Sequence, residues 1–385
     1  MISERRPEET ETERVGSLKL TAETRETTDR NQKTTGADEV RVTVVCPTYN
    51  HSKYIRRALD GFVSQKTNFK FEVLIGDDAS TDDTPDIIRE YAARYPDIIR
   101  PVLREKNLGS AQNFQDLIKD IDTEYVALCE GDDYWTDNRK LQKQYDFLEA
   151  NKKFAICYHP VLVKYENADV PDDVNPSENR GSIFAPHPLA SPYERHVQTI
   201  KDLAVRSSIP TCSVMYRWRF RKGKDLEYFR TDVNPRDILN NLLHAETGDV
   251  FFMKDIMACY FRPNESMWSQ KSLFASNALE LVKFYEYVEE HFAKDVSQLL
   301  AEEKNVALPT IIKSLLKSGQ LDKLQEIHQN HRKSYDIAMF HLGLGIETVN
   351  QGLLGFIAKK RRDLKYVGAA LLLSLIGNIL LLLLR

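Results

Sequence analysis

From Val42 to Asn151 short apolar runs alternate four times with segments of helical period, and that alternation restricts the chain to few folds. VTVVCP reads as a buried strand stopped by Pro47. HSKYIRRALDGFVSQ follows with Tyr54, Ala58, Leu59, Phe62 and Val63 at helical spacing. FEVLIGDD is a second strand, and DTPDIIREYAARYP a helix with Thr84 as its N-cap and Pro85 at its first position. IIRPVLRE is a third strand, whose Pro101 suits an irregular sheet edge. NLGSAQNFQDLIKDI is a helix after a glycine turn, and EYVALCEGDD with DNRKLQKQYDFLEAN completes the fourth pair. Such alternation through short connectors predicts an α/β fold, a mostly parallel sheet covered by helices on both faces.

In such sheets ligands bind beyond the carboxyl ends of the strands. Acids crowd there: Asp77 and Asp78 after the second strand, Glu130, Asp132 and Asp133 after the fourth. Their mutual repulsion is unfavourable unless something positive sits among them. A divalent metal, a hydroxyl-rich substrate, or both would satisfy that requirement. No GxxxxGK[ST] occurs, and CPTYN rather than GxGxxG fills the first strand's turn. With no glycine loop to cradle phosphate, a nucleotide would be held through a metal bridging its phosphate oxygens.

The net charge of −4 gives no basic footprint for nucleic acid. The five cysteines (Cys46, Cys129, Cys157, Cys212, Cys259) form no CxxC pair, which argues against zinc and a disulfide framework and for a reducing compartment. Residues 1–38 are polar and read as a disordered tail. Residues 163 to about 198 read as a long loop, followed by the strand-like SVMY, a helix and two short strands, and residues 269–358 as a helical region. At the other end, residues 359–385 join a basic flank, AKKRRDLK, to the apolar run from Val367 to Leu384. That run would measure roughly 27 Å as a helix, enough for a bilayer core, with its basic side on the cytoplasmic face. The expectation is a terminal membrane-associated or transmembrane helix at the cytoplasmic face of the inner membrane.

VTVVCPTYNHSKYIRRALDGFVSQ, FEVLIGDDASTDDT, NLGSAQNF and EYVALCEGDDYW, in this order and spacing, resemble the family 2 glycosyltransferases of GT-A fold. The likeness covers roughly residues 39–268. It implies that Pro47, Tyr49 and Asn50 line the nucleobase pocket, with the Tyr49 ring against a pyrimidine. It also implies that Asp78 accepts from the base imide, a strong charge-assisted contact. Asp77 is then structural or close to the same ring. Within the DxD-type element, Asp132 is expected on the ribose hydroxyls and Asp133 on Mg²⁺ or Mn²⁺, an assignment that could be reversed; Glu130 would help through water.

Transfer also needs a base for the acceptor hydroxyl. In the family this is an acid opening a helix. NPRDILNNLLHAETGDVFFM puts Asp237 at that position, after Arg236, where relatives often carry Gly or Glu. Asp232 is the reserve. ACYFRPNESMWS resembles the family's closing segment and implies Trp268 near acceptor or diphosphate, although the usual His is replaced by Pro263 and both glycines by Glu265 and Ser266. The QxxRW signature of processive synthases is absent, so a single sugar would be added. The implied activity is inverting, metal-dependent transfer from a nucleotide sugar, UDP-linked by expectation, to a glycan or lipid-linked acceptor. The rival readings are a sugar nucleotidyltransferase, which would normally carry a glycine-rich basic loop after its first strand, and a membrane-tethered receiver-like scaffold phosphorylated at Asp77 or Asp78.

Overall fold

The computed structural model describes residues 39–166, 196–206, 209–263 and 277–341. The polar N-terminal stretch, the basic flank and the apolar C-terminal segment lie outside these residues. Among the described residues no helix is long and apolar enough to cross a membrane.

Strand β1 (Val40–Thr48) lies between β2 (Lys70–Asp77) and β4 (Tyr125–Leu128), both parallel to it, and β2 carries β3 (Ile99–Leu103) on its outer side. As the outermost strand, β3 tolerates the missing N–H of Pro101. Val42, Val44, Val45 and Cys46 are all fully buried, as expected of a central parallel strand covered on both faces. The sheet then continues through β9 (Met215–Arg217), β6 (Phe154–Tyr158), β10 (Asp249–Phe252) and β8 (Val197–Gln198). Here the structure departs from simple alternation. Strand β9 runs antiparallel between β4 and β6, and β8 is antiparallel to β10. β5 (Tyr134–Trp135), β11 (Ala258–Arg262) and β7 (Leu162–Tyr165) form a second, three-stranded sheet.

Side chains alternate along β1, so its two faces enter different cores. Val44 and Cys46 pack with Ile55 and Leu59 of α1 (Ile55–Val63), Ile88 of α2 (Thr84–Arg94) and Leu141 of α4 (Lys140–Ala150). Val45 faces Leu117 of α3 (Ser110–Ile118), Leu203 of α5 (Ile200–Arg206) and Leu239 of α6 (Arg236–Ala245). The same cluster continues into four more helices: α7 (Ala278–His291), α8 (Lys294–Ser318), α9 (Leu321–Asn330) and α10 (Arg332–His341). The helical region therefore shares one core with the sheet.

Helix α2 corrects a local expectation. Asp83, not Thr84, occupies the N-cap position, and no side chain caps the helix. The Thr84 hydroxyl is used elsewhere: it accepts the His51 N–H at 2.9 Å and donates to Asp82. A tertiary bond to the neighbouring loop replaces the local cap.

Candidate active site

Three loops leave the carboxyl ends of β1, β2 and β4 side by side. Backbone bonds join them: the Asp78 N–H donates to the Thr48 carbonyl at 3.0 Å, and Gly131 N–H to the Pro47 carbonyl at 3.2 Å. The close approach depends on Gly131. A Cβ there would stand 2.5 Å from Thr48 Oγ1 and 2.9 Å from His51 Nδ1.

Side chains then fix the first two loops. Asn50, at φ 54°, accepts the Thr81 N–H on Oδ1 at 2.8 Å, and its own N–H donates to Ser80 Oγ at 2.8 Å. Asn tolerates this left-handed backbone better than most residues. Asp77 is buried and accepts the Ser80 N–H at 3.1 Å, a structural turn. Asp82 accepts the Ser52 N–H at 3.0 Å. Burial opposes its ionisation, but bonds from Thr84 and Ser52 prevail and bring its carboxyl down to about 2. The sequence offers a turn in which Asp77 or Asp78 caps the following Ser-Thr-Asp, and Asp77 does so through Ser80; the bonds from this loop to Asn50, His51 and Ser52 are long-range and are not legible in DDASTDDT.

Asp78 is nearly inaccessible and grips the start of α3. Its Oδ1 accepts the Leu108 N–H at 2.7 Å and its Oδ2 the Gly109 N–H at 2.9 Å. Tyr49 stands exposed at the rim, and Pro47 is half-buried below it.

The acids after β4 divide by environment. Asp132 is half-exposed. Asp133 is buried, its Oδ1 accepting the Phe261 N–H of β11 at 2.8 Å, while its Oδ2 is buried without a donor among the described residues. Burial, reinforced by Asp132 and Glu130, drives its carboxyl well above the usual range. Glu130 has the same difficulty: one oxygen, Oε2, is buried without a hydrogen-bond partner among the described residues. Burial first, then Asp132 and more weakly Asp237, push it up to about 8. Behind them the fully buried Lys140 donates to Gln144 Oε1 at 2.7 Å and lies 4.3 Å from the Trp135 ring centroid. Desolvation brings that amine down to about 8.

Asp237 lies in the first turn of α6, near enough for its charge to act on Glu130 and on Tyr216. Its side chain is exposed to water, and the protein packed around the helix start raises its carboxyl from the ordinary value. Asp232 differs. It is clamped by Arg230 through two bonds of 2.7 Å, with Lys283 at 3.4 Å. The guanidinium above all holds its carboxyl at about 2, which makes it a poor proton acceptor. Trp268 lies outside the described residues.

The described chain thus presents carboxylates, two of them with an unpartnered buried oxygen, at the carboxyl edge of a mostly parallel sheet. Residues 43–223 match the model described as Glycosyl transferase family 2. That stretch, a little under half of the chain, is similar to the domain that defines the family. An uncharacterized Mycobacterium tuberculosis protein, Rv1520, is 39% identical over 227 residues, 59% of this chain and 60% of its own length. The chain therefore matches about three-fifths of the length of that relative. Among solved structures, S. aureus TarS 1-349 in complex with UDP-GlcNAc aligns over 81% of this chain and 92% of its own, with a TM-score of 0.50 and 19% identity. The mannosyltransferase PcManGT from Pyrobaculum calidifontis, in complex with GDP-Man and Mn²⁺, aligns over 88% and 94%, with a TM-score of 0.51 and 16% identity. At those identities the likeness is one of fold, and the fold is GT-A.

Proposed function

We propose that the protein is an inverting, metal-dependent glycosyltransferase that moves one sugar from a nucleotide-sugar donor to a glycan or lipid-linked acceptor. The observation that carries this reading is the set of Glu130, Asp132, Asp133 and Asp237, close enough for their charges to act on one another, with Glu130 Oε2 and Asp133 Oδ2 buried and without a hydrogen-bond partner at bonding geometry among the described residues. Buried carboxylate oxygens without partners fit a cation. Among the described residues no three His, Cys, Asp or Glu side chains converge into a metal cage. One or two carboxylates with donor phosphate oxygens is the arrangement this chemistry favours for Mg²⁺ or Mn²⁺. Asp133 is the residue that would hold it, with Asp132 on the ribose hydroxyls or the two exchanged, and the ion would neutralise negative charge on the departing nucleoside diphosphate.

The remaining work falls to the chain's own side chains. Tyr49, Pro47 and Asn50 would bound the base, with Asp78 holding the α3 loop against it. Asp237 would take the proton of the acceptor hydroxyl as that oxygen bonds the anomeric carbon and the carbon–phosphate-oxygen bond breaks. Its raised carboxyl makes it a better proton acceptor than Asp232, held at about 2. One displacement with one base inverts the anomeric centre. A UDP-linked sugar is the proposed donor, in keeping with the UDP-GlcNAc complex of a fold neighbour. The apolar run from Val367 to Leu384 supports a place at the cytoplasmic face of a membrane, next to a lipid-linked acceptor.

Thermal-shift measurements with UDP, GDP and dTDP, each with and without Mn²⁺, test the reading. Stabilisation by one nucleotide that requires the metal is expected, as is slow hydrolysis of the matching nucleotide sugar. D237N should retain donor binding and lose turnover by a factor of roughly 10²–10⁴. Absence of any metal-dependent nucleotide binding would overturn the proposal.

A further inference from the structure

Arg236 stands beside Asp237 at the start of α6, and its setting is unusual. It is the first residue of α6 and half-buried. Among the described residues its side chain makes a single hydrogen bond, from Nη2 to Ser110 Oγ at 2.9 Å, and has no carboxylate within ion-pair reach. Asp237 and Glu280 are the acids that face it, and both favour its charge from a greater distance. The surrounding acids do not capture it. Asp237 is its immediate neighbour on a helix, where adjacent side chains diverge, and Ser110 draws the guanidinium the other way.

Ser110 gives the position its meaning. It begins α3 directly after Gly109, whose N–H is held by Asp78 Oδ2 at 2.9 Å. The guanidinium therefore bridges the start of α3, next to the loop gripped by Asp78, and the first turn of α6, which carries Asp237. A half-buried guanidinium that makes one hydrogen bond among the described residues, close to Asp237 and Glu130, is arranged for an anion that arrives with the substrate. We propose that Arg236 is the phosphate-binding residue of this cleft, engaging either the donor's diphosphate or a phosphate on the acceptor. The inference rests on the glycosyltransferase reading and deepens it. It assigns a residue where the family resemblance gives none, since relatives often carry Gly or Glu there. It also supplies a cation on the acceptor side, where Pro263 stands in place of the family's histidine.

Titration calorimetry on the full-length chain with Mn²⁺ tests it, using UDP, uridine and inorganic phosphate as probes. If the donor's diphosphate is the ligand, R236Q binds UDP about tenfold more weakly with uridine binding unchanged, and R236K recovers part of the loss. If an acceptor phosphate is the ligand, R236Q binds UDP like the wild type. Inorganic phosphate then binds the UDP-saturated wild type and not the UDP-saturated variant. Equal binding of all three probes by wild type and R236Q overturns the proposal. So does a parallel loss of UDP and uridine binding, which would make Arg236 a packing residue only. A wild type that binds neither UDP nor GDP would bring down the glycosyltransferase reading and this assignment together, an outcome distinct from failure of R236Q alone.

Discussion

Glu130 shows at the scale of one residue how the cleft holds unfavourable charge. Its carboxyl stands at about 8 against an ordinary 4.5, raised by burial and then by Asp132. The folded form thus binds that proton more tightly than the unfolded chain does. Its contribution to stability is fully present below about pH 4.5 and is lost as pH rises towards 8. In metal-free buffer E130Q should therefore melt with the wild type near pH 4.5 and above it at pH 8. A variant that gains nothing at pH 8 would show that Glu130 carries no such penalty. Added Mn²⁺ should narrow the gap, because a cation relieves the same repulsion in the wild type.

At the scale of elements, the cleft is a junction of strand ends, and its tightest point is Gly131. An alanine methyl there would press on Thr48, Ile55 and His51 together, two of them beside the first strand's loop. G131A should cost about 1–3 kcal/mol in urea unfolding, the usual range for overpacking. It should also weaken nucleotide binding, because the loop that must move carries Glu130, Asp132 and Asp133. Wild-type stability in G131A would mean that the β1 and β4 loops yield without strain. Asp133 is a second junction. By accepting the Phe261 N–H it ties the acid loop to β11, so the three-stranded sheet and the acid loop hold each other in place.

For the whole molecule, the helices after the glycosyltransferase-like motifs are continuous with the core of the sheet. Leu315 and Ile311 of α8 and Phe284 of α7 are buried in the same cluster as Val45, Val126 and Leu239. L315A should cost about 2–5 kcal/mol. Because the core is shared, the loss should appear in one transition that abolishes nucleotide binding and helicity together. Two separated transitions, with nucleotide binding surviving the first, would show that α7–α10 fold as an independent unit. Buried Lys304, paired with Glu289 and joined through it to Lys333 at 3.0 Å, adds a polar tie among α7, α8 and α10.

The sequence by itself determined the alternation from Val42 to Asn151, the edge position suited to Pro101, and the gathering of Asp77, Asp78, Glu130, Asp132 and Asp133 at strand ends. These follow from hydrophobic period and turn chemistry, which are local and therefore readable along a chain. Only the tertiary structure decided the antiparallel insertion of β9, the engagement of Thr84 by His51 in place of a helix cap, and the contrast between the clamped Asp232 and the open Asp237. Each of these depends on partners many residues away or on how deeply a charge is buried. Register, long-range pairing and desolvation are properties of packing, and the order of residues does not state them.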